Sequence, residues 1–265
     1  MLGSMKNISY PEIKDKIVAF ISSGVTRSGA KGAVVGLSGG IDSALTAFLT
    51  VSALGKENVL GLLLPEKGIS SKQDIDDAIE VANILGIEYK IIEISPVLAS
   101  FSSAIPIFDN EAKTANGNLK ARTRMCILYY HANIMGRMVV GTGNKTELLL
   151  GYFTKYGDGG VDIEPIGDLY KTQVRSLSKY MGIPARTIEK TPTAGLWPGQ
   201  TDENELGVSY DMADQILTML VDEKKDISDI KAKFPPEIVD KLEARISSSG
   251  HKRMPPPVIE IGTNP

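Results

Sequence analysis

The sequence predicts an α/β fold, a doubly wound parallel sheet with helices on both faces. Three observations carry that prediction. Short apolar runs rich in β-branched residues alternate with helical patterns along the first half of the chain, the order that builds a parallel sheet covered on both sides. The run Ala33-Val34-Val35-Gly36-Leu37 passes directly into Ser38-Gly39-Gly40-Ile41-Asp42-Ser43, and Ala44 to Leu49 continues as a helix. Thr142 closes another such run, Met138 to Thr142, so two strand ends can meet one ligand at the carboxyl edge of the sheet.

The elements follow in order. Gly55-Lys56-Glu57-Asn58 ends the first helix, and Val59-Leu60-Gly61-Leu62-Leu63-Leu64 reads as a second buried strand, broken by Pro65-Glu66-Lys67-Gly68. Ser71, with Asp74 three residues on, can cap a helix whose apolar stripe is Ile75, Ile79, Ala82 and Leu85. Gly86 closes it, Tyr89 to Ile94 reads as a third strand, and a long helical stretch runs from about Asn110 to Met135. Thr191 to Gly207 holds two prolines, three glycines and the only Trp without a clear period, and is expected to be a mobile lid. Helical patterning resumes through Leu220. Met1 to Ser4 reads as a cloning remnant ahead of a native Met5, which leaves residues 5–265 as a single domain.

The turn after the first strand has the chemistry of a pyrophosphate cradle. Gly39 and Gly40 let the backbone turn sharply and approach a ligand. The first amides of the following helix face that ligand unpaired, at the positive end of the helix dipole. Ser38 and Ser43 add hydroxyls. Asp42 repels phosphate unless a cation lies between, so the loop implies a metal as well. A bare Gly-Gly would be an ordinary turn; six specified positions at a strand–helix junction favour phosphate binding. No Lys follows the glycines, so this is not a Walker loop.

Composition narrows the partners. Of 265 residues, 42% are hydrophobic and 23% charged, ordinary for a globular chain. A formal net charge of -3 and a pI near 5.6 argue against a nucleic-acid binder. The single cysteine, Cys126, sits among Met125, Ile127 and Leu128 and is expected in the core; alone it excludes an intramolecular disulfide and a cysteine zinc site, and it fits a reducing cytoplasm. The longest apolar runs fall far short of the ~20 residues that span a bilayer, so no membrane partner is expected.

The Ser38–Ser43 turn resembles the SGGxDS loop of the PP-loop ATP pyrophosphatases, which have an adenine nucleotide alpha hydrolase-like fold. Gly141 to Gln173, reading GTGNKTELLLGYFTKYGDGGVDIEPIGDLYKTQ, resembles the NAD synthetase family within them. So do Lys120 to Met125, Thr191 to Ala194, Asp202 to Gly207 and His251-Lys252-Arg253, in order along nearly the whole chain. The resemblance implies a two-step ligase. The carboxylate of deamido-NAD attacks ATP to form an adenylate, and ammonia then displaces AMP. It further implies ATP contacts at Gly36, Leu37, Ser38, Gly39, Gly40, Ile41, Asp42, Ser43, Thr142, Lys171 and Thr193. Asp42 and Glu147 match Mg²⁺-binding positions. Arg122, Lys155, Asp162, His251 and Lys252 match deamido-NAD positions, the last two in a C-terminal substrate-binding tail.

Lys171 and Asp158 are the catalytic candidates. Lys171 would neutralise the departing pyrophosphate. Asp158, in Tyr156-Gly157-Asp158-Gly159-Gly160, would attract ammonium and take its proton. Read without the family, Asp158 equally suits an Asp-Gly turn, and Lys171 a surface lysine. Gly143-Asn144 stands where the bacterial branch carries Asp-His and is more similar to archaeal or glutamine-dependent members. Ala194-Gly195-Leu196-Trp197 replaces a common Ala-Asp-Leu, so the lid contacts differ. Glutamine-dependent members carry an amidase domain for which there is no room before the first strand, so free ammonia is the expected donor. The family also implies a homodimer. A GMP synthetase-like ligase shares the loop but lacks the Phe153 to Asp158 segment, and a non-catalytic nucleotide sensor would not need Asp42, Glu147 and Lys171 intact.

Overall fold

The computed structural model describes residues 9–197, 199–259, 261 and 262, so the expected remnant at Met1 to Ser4 lies outside the described residues. In chain order the elements are α1 (Tyr10–Ser28), β1 (Ala33–Gly36), α2 (Ile41–Leu54), β2 (Val59–Leu63), α3 (Lys72–Leu85), β3 (Glu88–Ile91), α4 (Ser95–Ala104), α5 (Lys113–Met135) and β4 (Met138–Val140). There follow α6 (Lys145–Leu150), α7 (Lys171–Tyr180), α8 (Ala185–Glu189), α9 (Asp202–Leu206), α10 (Tyr210–Leu217), α11 (Ile227–Lys231) and α12 (Pro236–Ser248).

The sheet has the order β3-β2-β1-β4, with every pairing parallel. Its side chains alternate between two cores. Ala33, Val35, Val59, Leu63 and Val140 pack with α1, α2, α3 and α7, whereas Val34, Leu60, Leu62 and Val139 pack with Ile94 and Ala132 on the α4–α5 side. Both faces are therefore covered, as the alternation of strands and helices predicts. A third apolar cluster, including Tyr210, Ile216, Leu217, Ile230, Val239 and Leu242, joins the C-terminal helices to α6.

The chain runs outward from β1 through β2 to β3, then returns to place β4 on the other side of β1. That reversal opens a crevice at the carboxyl ends of β1 and β4, where open α/β sheets bind ligands. Local signals behave as written. Ser71 Oγ accepts the Asp74 amide at 3.0 Å, the Asp74 carboxylate accepts the Ser71 amide at 3.1 Å, and Gly86 ends α3 in a left-handed cap at φ 64°. Edge strand β3 is shorter than the expected Tyr89 to Ile94, and it carries Glu88 and Lys90 exposed, which blunts the open edge. Helix α1, with Ile17, Ile21 and Val25 buried four residues apart, is an element that the sequence reading did not assign. Cys126 is exposed rather than in the core, because its apolar neighbours face inward while its own position turns outward on α5. The expected lid is not loop throughout: α9 occupies its last turn.

Candidate active site

The Ser38–Ser43 turn is held by its own hydroxyls. Ser43 Oγ donates to Gly40 O at 2.9 Å and accepts the Ser38 amide at 3.2 Å, and the two serine hydroxyls lie 3.1 Å apart. Gly39 has φ 77°, and a Cβ there would meet Asp74 O at 2.2 Å, so glycine is required by conformation and by space. The turn thereby packs on the first turn of α3 and aims the N-terminus of α2 into the crevice.

The crevice is a cleft of about 760 Å³. Gly36, Leu37, Ser38, Gly40, Ile41, Asp42, Ser43, Thr142, Lys171 and Thr193 line it; Gly39 is turned in against α3. Lys171 is the centre of its charge. Its Nζ donates to Asp42 Oδ2 at 2.5 Å and to Glu147 Oε1 at 3.2 Å, and the side chain is only 2% exposed. Burial disfavours the ammonium, but the two carboxylates outweigh it and hold the proton more tightly than usual. Burial pushes Glu147 up from the usual carboxylate range, opposed by Lys171 and reinforced by Asp42 and Asp202.

Asn144 links these carboxylates and was not marked as a site residue from the sequence. Its side chain caps α6 by accepting the Glu147 amide at 3.0 Å, and it donates to Asp42 Oδ1 at 2.9 Å. Among the described residues no group of three or more His, Cys, Asp and Glu side chains is arranged to hold a metal ion. Asp42 and Glu147 alone nevertheless fit Mg²⁺, which commonly takes one or two carboxylates and completes its octahedron with substrate phosphates and water. The lysine ammonium between them marks the pair as a place for positive charge.

Asp158 is solvent-exposed and lines the cleft, in contrast to the buried carboxylate its proposed role suggests. Partial desolvation by the surrounding protein raises its carboxyl above the usual range, against the Thr154 amide, its own backbone amide and the charge of Lys252. Its Oδ1 accepts the Thr154 amide at 2.8 Å, so it holds the Thr154–Gly157 turn together and presents a basic carboxylate at once. Lys252 also lines the cleft, with Nζ donating to the carbonyls of Gly151 and Phe153, each at 2.8 Å.

The remaining dinucleotide candidates fall outside the cleft lining. Arg122 Nη2 donates to Lys155 O at 3.3 Å and Lys155 Nζ to His251 O at 2.6 Å, so these three form one linked group behind the same loop. Asp162 accepts the Val139 amide at 2.8 Å and the Tyr129 hydroxyl at 3.0 Å, and so braces β4.

Other residues of the site become visible only in three dimensions. Lys190 pairs with Asp74 and, at 2.9 Å, with the fully buried Asp77, and reaches Gly39 O at 3.3 Å, tying the lid root to the phosphate turn. Glu164 accepts the Gly143 amide at 2.9 Å, and burial pushes its carboxyl up to about 8. Asp202 accepts the hydroxyls of Tyr210 and Tyr152 at 2.9 and 3.1 Å. The segment expected to be a lid is held to α5: Lys120 Nζ, paired with Glu66, donates to Leu196 O at 2.8 Å.

A parallel sheet with the Ser38–Ser43 turn at its switch point is the fold of the PP-loop class, adenine nucleotide alpha hydrolase-like. Residues 13–256 match the family model for NAD synthase, and the chain belongs to that family. It is 52% identical to an NH(3)-dependent NAD(+) synthetase of Methanococcoides burtonii over 93% of this chain and 94% of the relative. Among solved structures it is similar to an NMN synthetase from Francisella tularensis, with 36% identity and a TM-score of 0.83 over 97% of this chain and all of that one. It is also similar to an NH3-dependent NAD synthetase from Campylobacter jejuni, with 35% identity and a TM-score of 0.80 over 96% of this chain and all of that one. Among the described residues no helix is long and apolar enough to cross a membrane.

Proposed function

We propose that this protein amidates deamido-NAD to NAD with ATP and free ammonia, through an NAD-adenylate. The observation that carries the proposal is one cleft joining the phosphate turn, Lys171 held between Asp42 and Glu147, and Asp158, in a chain whose relatives bear the name NH(3)-dependent NAD(+) synthetase. The acceptor carboxylate forms a bond to the α-phosphorus of ATP as the bond to pyrophosphate breaks. Amides at the start of α2, with Ser38 and Ser43, hold the leaving pyrophosphate, and Lys171 swings from its carboxylates toward the developing charge. Mg²⁺ held by Asp42 and Glu147 supplies further neutralisation of the phosphates when bound. Asp158 then takes a proton from ammonium, ammonia adds to the activated carbonyl, and the bond to AMP breaks, AMP leaving with the former carboxylate oxygen as the added nitrogen gives its second proton to water. Thr142 and Thr193 contact ATP and Lys252 the dinucleotide inside the cleft, while Arg122, Lys155, Asp162 and His251, outside the cleft lining, take the part of the dinucleotide that extends beyond it.

Several wider readings go with this one. Within the segment 191–207, the part ahead of α9 opens to admit nucleotides, held to α5 by contacts such as that of Lys120 with Leu196, while α9 stays anchored by the buried Asp202 and Leu206. The enzyme acts as a homodimer through α5, on which Arg122, Cys126, Tyr130 and Ile134 recur every four residues on the exposed side. The chain works in the cytoplasm without a nucleic-acid partner, as its acidic balance and free thiol suit. A mononucleotide acceptor is the second reading, favoured by the likeness to the Francisella NMN synthetase. ATP–pyrophosphate exchange separates them. Exchange dependent on deamido-NAD supports the dinucleotide, exchange only with nicotinate mononucleotide supports the second reading, and exchange with neither overturns both.

A further inference from the structure

The two residues that meet over the cleft, Glu147 and Lys171, stand in the first turns of two short helices, α6 and α7. Helices of six and ten residues do not fix their own relative position; something must register one first turn against the other. We propose that Asp214, on α10, is the positioning residue that does so. This rests on the reading of Glu147 and Lys171 as nucleotide-site residues.

The geometry is a closed set of donors and acceptors. Asp214 is 2% exposed and has no cleft surface of its own. Its Oδ1 accepts the Thr146 hydroxyl at 2.5 Å, and its Oδ2 accepts the Thr172 amide at 2.8 Å. The Thr146 oxygen in turn accepts the Lys171 amide at 3.0 Å. Amides only donate and Thr146 has one hydroxyl proton, so these directions are determined while Asp214 is a carboxylate, which the Thr172 side chain hydrogen-bonds as well. Thr146 is the neighbour of Glu147, and Lys171 and Thr172 open α7. One buried carboxylate therefore satisfies the otherwise unpaired start of α7, directly and through Thr146, and ties it to the first turn of α6. A negative group also suits that place, since it faces the positive end of the α7 dipole.

The same helix supports the other end of Lys171. The Tyr210 ring lies 5.0 Å from Lys171 Nζ, and its hydroxyl is fixed on Asp202 at 2.9 Å. Helix α10 thus holds the lysine at its amide through Asp214 and at its ammonium through Tyr210. The C-terminal apolar cluster in which α10 is rooted is in this way coupled to the spacing of the site.

Asp214→Asn keeps the shape but replaces one acceptor by a donor. Thr146→Val removes the hydroxyl without changing the volume, and Thr146→Ser restores it. Steady-state kinetics are run at varied ATP and at varied Mg²⁺, at least 20 °C below each variant's melting point, with ATP binding measured by calorimetry. Asp214→Asn and Thr146→Val are each expected to lower kcat at least tenfold and raise the half-saturating Mg²⁺, with KM for the acceptor unchanged. Thr146→Ser is expected within twofold of the unaltered protein, and the double variant Asp214→Asn, Thr146→Val no worse than the poorer single one. A lower melting point with kcat and Mg²⁺ dependence both within twofold would make Asp214 structural only and overturn the proposal. If Asp214→Asn does not fold, unchanged kinetics of Thr146→Val overturn it equally. Failure of the functional reading is separate: there the unaltered protein binds ATP but shows no acceptor-dependent turnover, and the positioning claim is then judged on ATP affinity, where a change under threefold in both variants rejects it.

Discussion

Replacing Lys171 by methionine keeps most of the side chain's volume and removes its charge. What remains is a pair of carboxylates, Asp42 and Glu147, 18% and 17% exposed, with no counterion. At an effective dielectric of about 20, a contact such as the 3.2 Å one to Glu147 corresponds to roughly 5 kcal/mol before desolvation is counted. Removing one partner of a buried ion pair costs about 3–5 kcal/mol. With an unfolding entropy near 2.1 cal/mol/K per residue over 265 residues, that predicts a melting point lower by roughly 5–9 °C. The loss should be reversible by a cation, because the bare carboxylates now accept one. Calorimetric melting of Lys171→Met is expected to rise with millimolar Mg²⁺ or Mn²⁺ in the absence of nucleotide, while the unaltered protein, whose pair already has the one positive charge of the lysine against it, moves much less. A variant that melts where the parent does, or that ignores the divalent ion, would refute the view that Lys171 stands where positive charge is required.

Glu164 should set a pH slope in stability. Its folded carboxyl titrates near 8, above the ordinary value, so the folded chain keeps a proton that the unfolded chain gives up, and stability falls by about 1.4 kcal/mol per pH unit at most between roughly pH 4.5 and 8. Glu164→Gln should flatten that part of the melting profile, and an unchanged slope rejects the assignment. Gly39→Ala should abolish ATP binding and lower stability by more than about 2 kcal/mol, because a Cβ meets Asp74 O at 2.2 Å; Gly40→Ala, whose nearest neighbour is the Ser38 hydroxyl at 3.3 Å, should be milder by far, and equal effects in calorimetry would contradict the packing argument. Asp158→Asn should lose the acidic limb of the rate against pH at saturating total ammonia, where protonation of the base slows the unaltered enzyme, and an unaltered profile would leave Asp158 as a turn residue only.

What the sequence made legible were features whose partners are close in the chain. The Ser38–Ser43 turn closes on its own serines, and the Ser71–Asp74 cap is complete within four residues. The position of Thr142 beside the phosphate turn was readable because parallel strands bring their carboxyl ends to one edge. The rest depends on distant partners. Asp77 and Lys190 are 113 positions apart, and Thr146 and Asp214 are 68, so neither pair leaves a local pattern. Lys171 reads as a surface lysine until α2 and α6 bring carboxylates to it. Cys126 reads as core because its neighbours are apolar, and only the packing of α5 decides which side faces out. Helix α1 carries local signals too, a Ser9–Glu12 box and apolar Ile17, Ile21 and Val25 at helical spacing.

The central claim is that a carboxylate oxygen of deamido-NAD becomes bonded to the α-phosphorus of ATP inside this cleft. Deamido-NAD labelled with ¹⁸O in its nicotinate carboxylate tests it most directly, with the products of one turnover in ammonium analysed by mass spectrometry. The adenylate route predicts one ¹⁸O in AMP, none in pyrophosphate, and one retained in the amide of NAD. Unlabelled AMP, or label in the pyrophosphate, would contradict it.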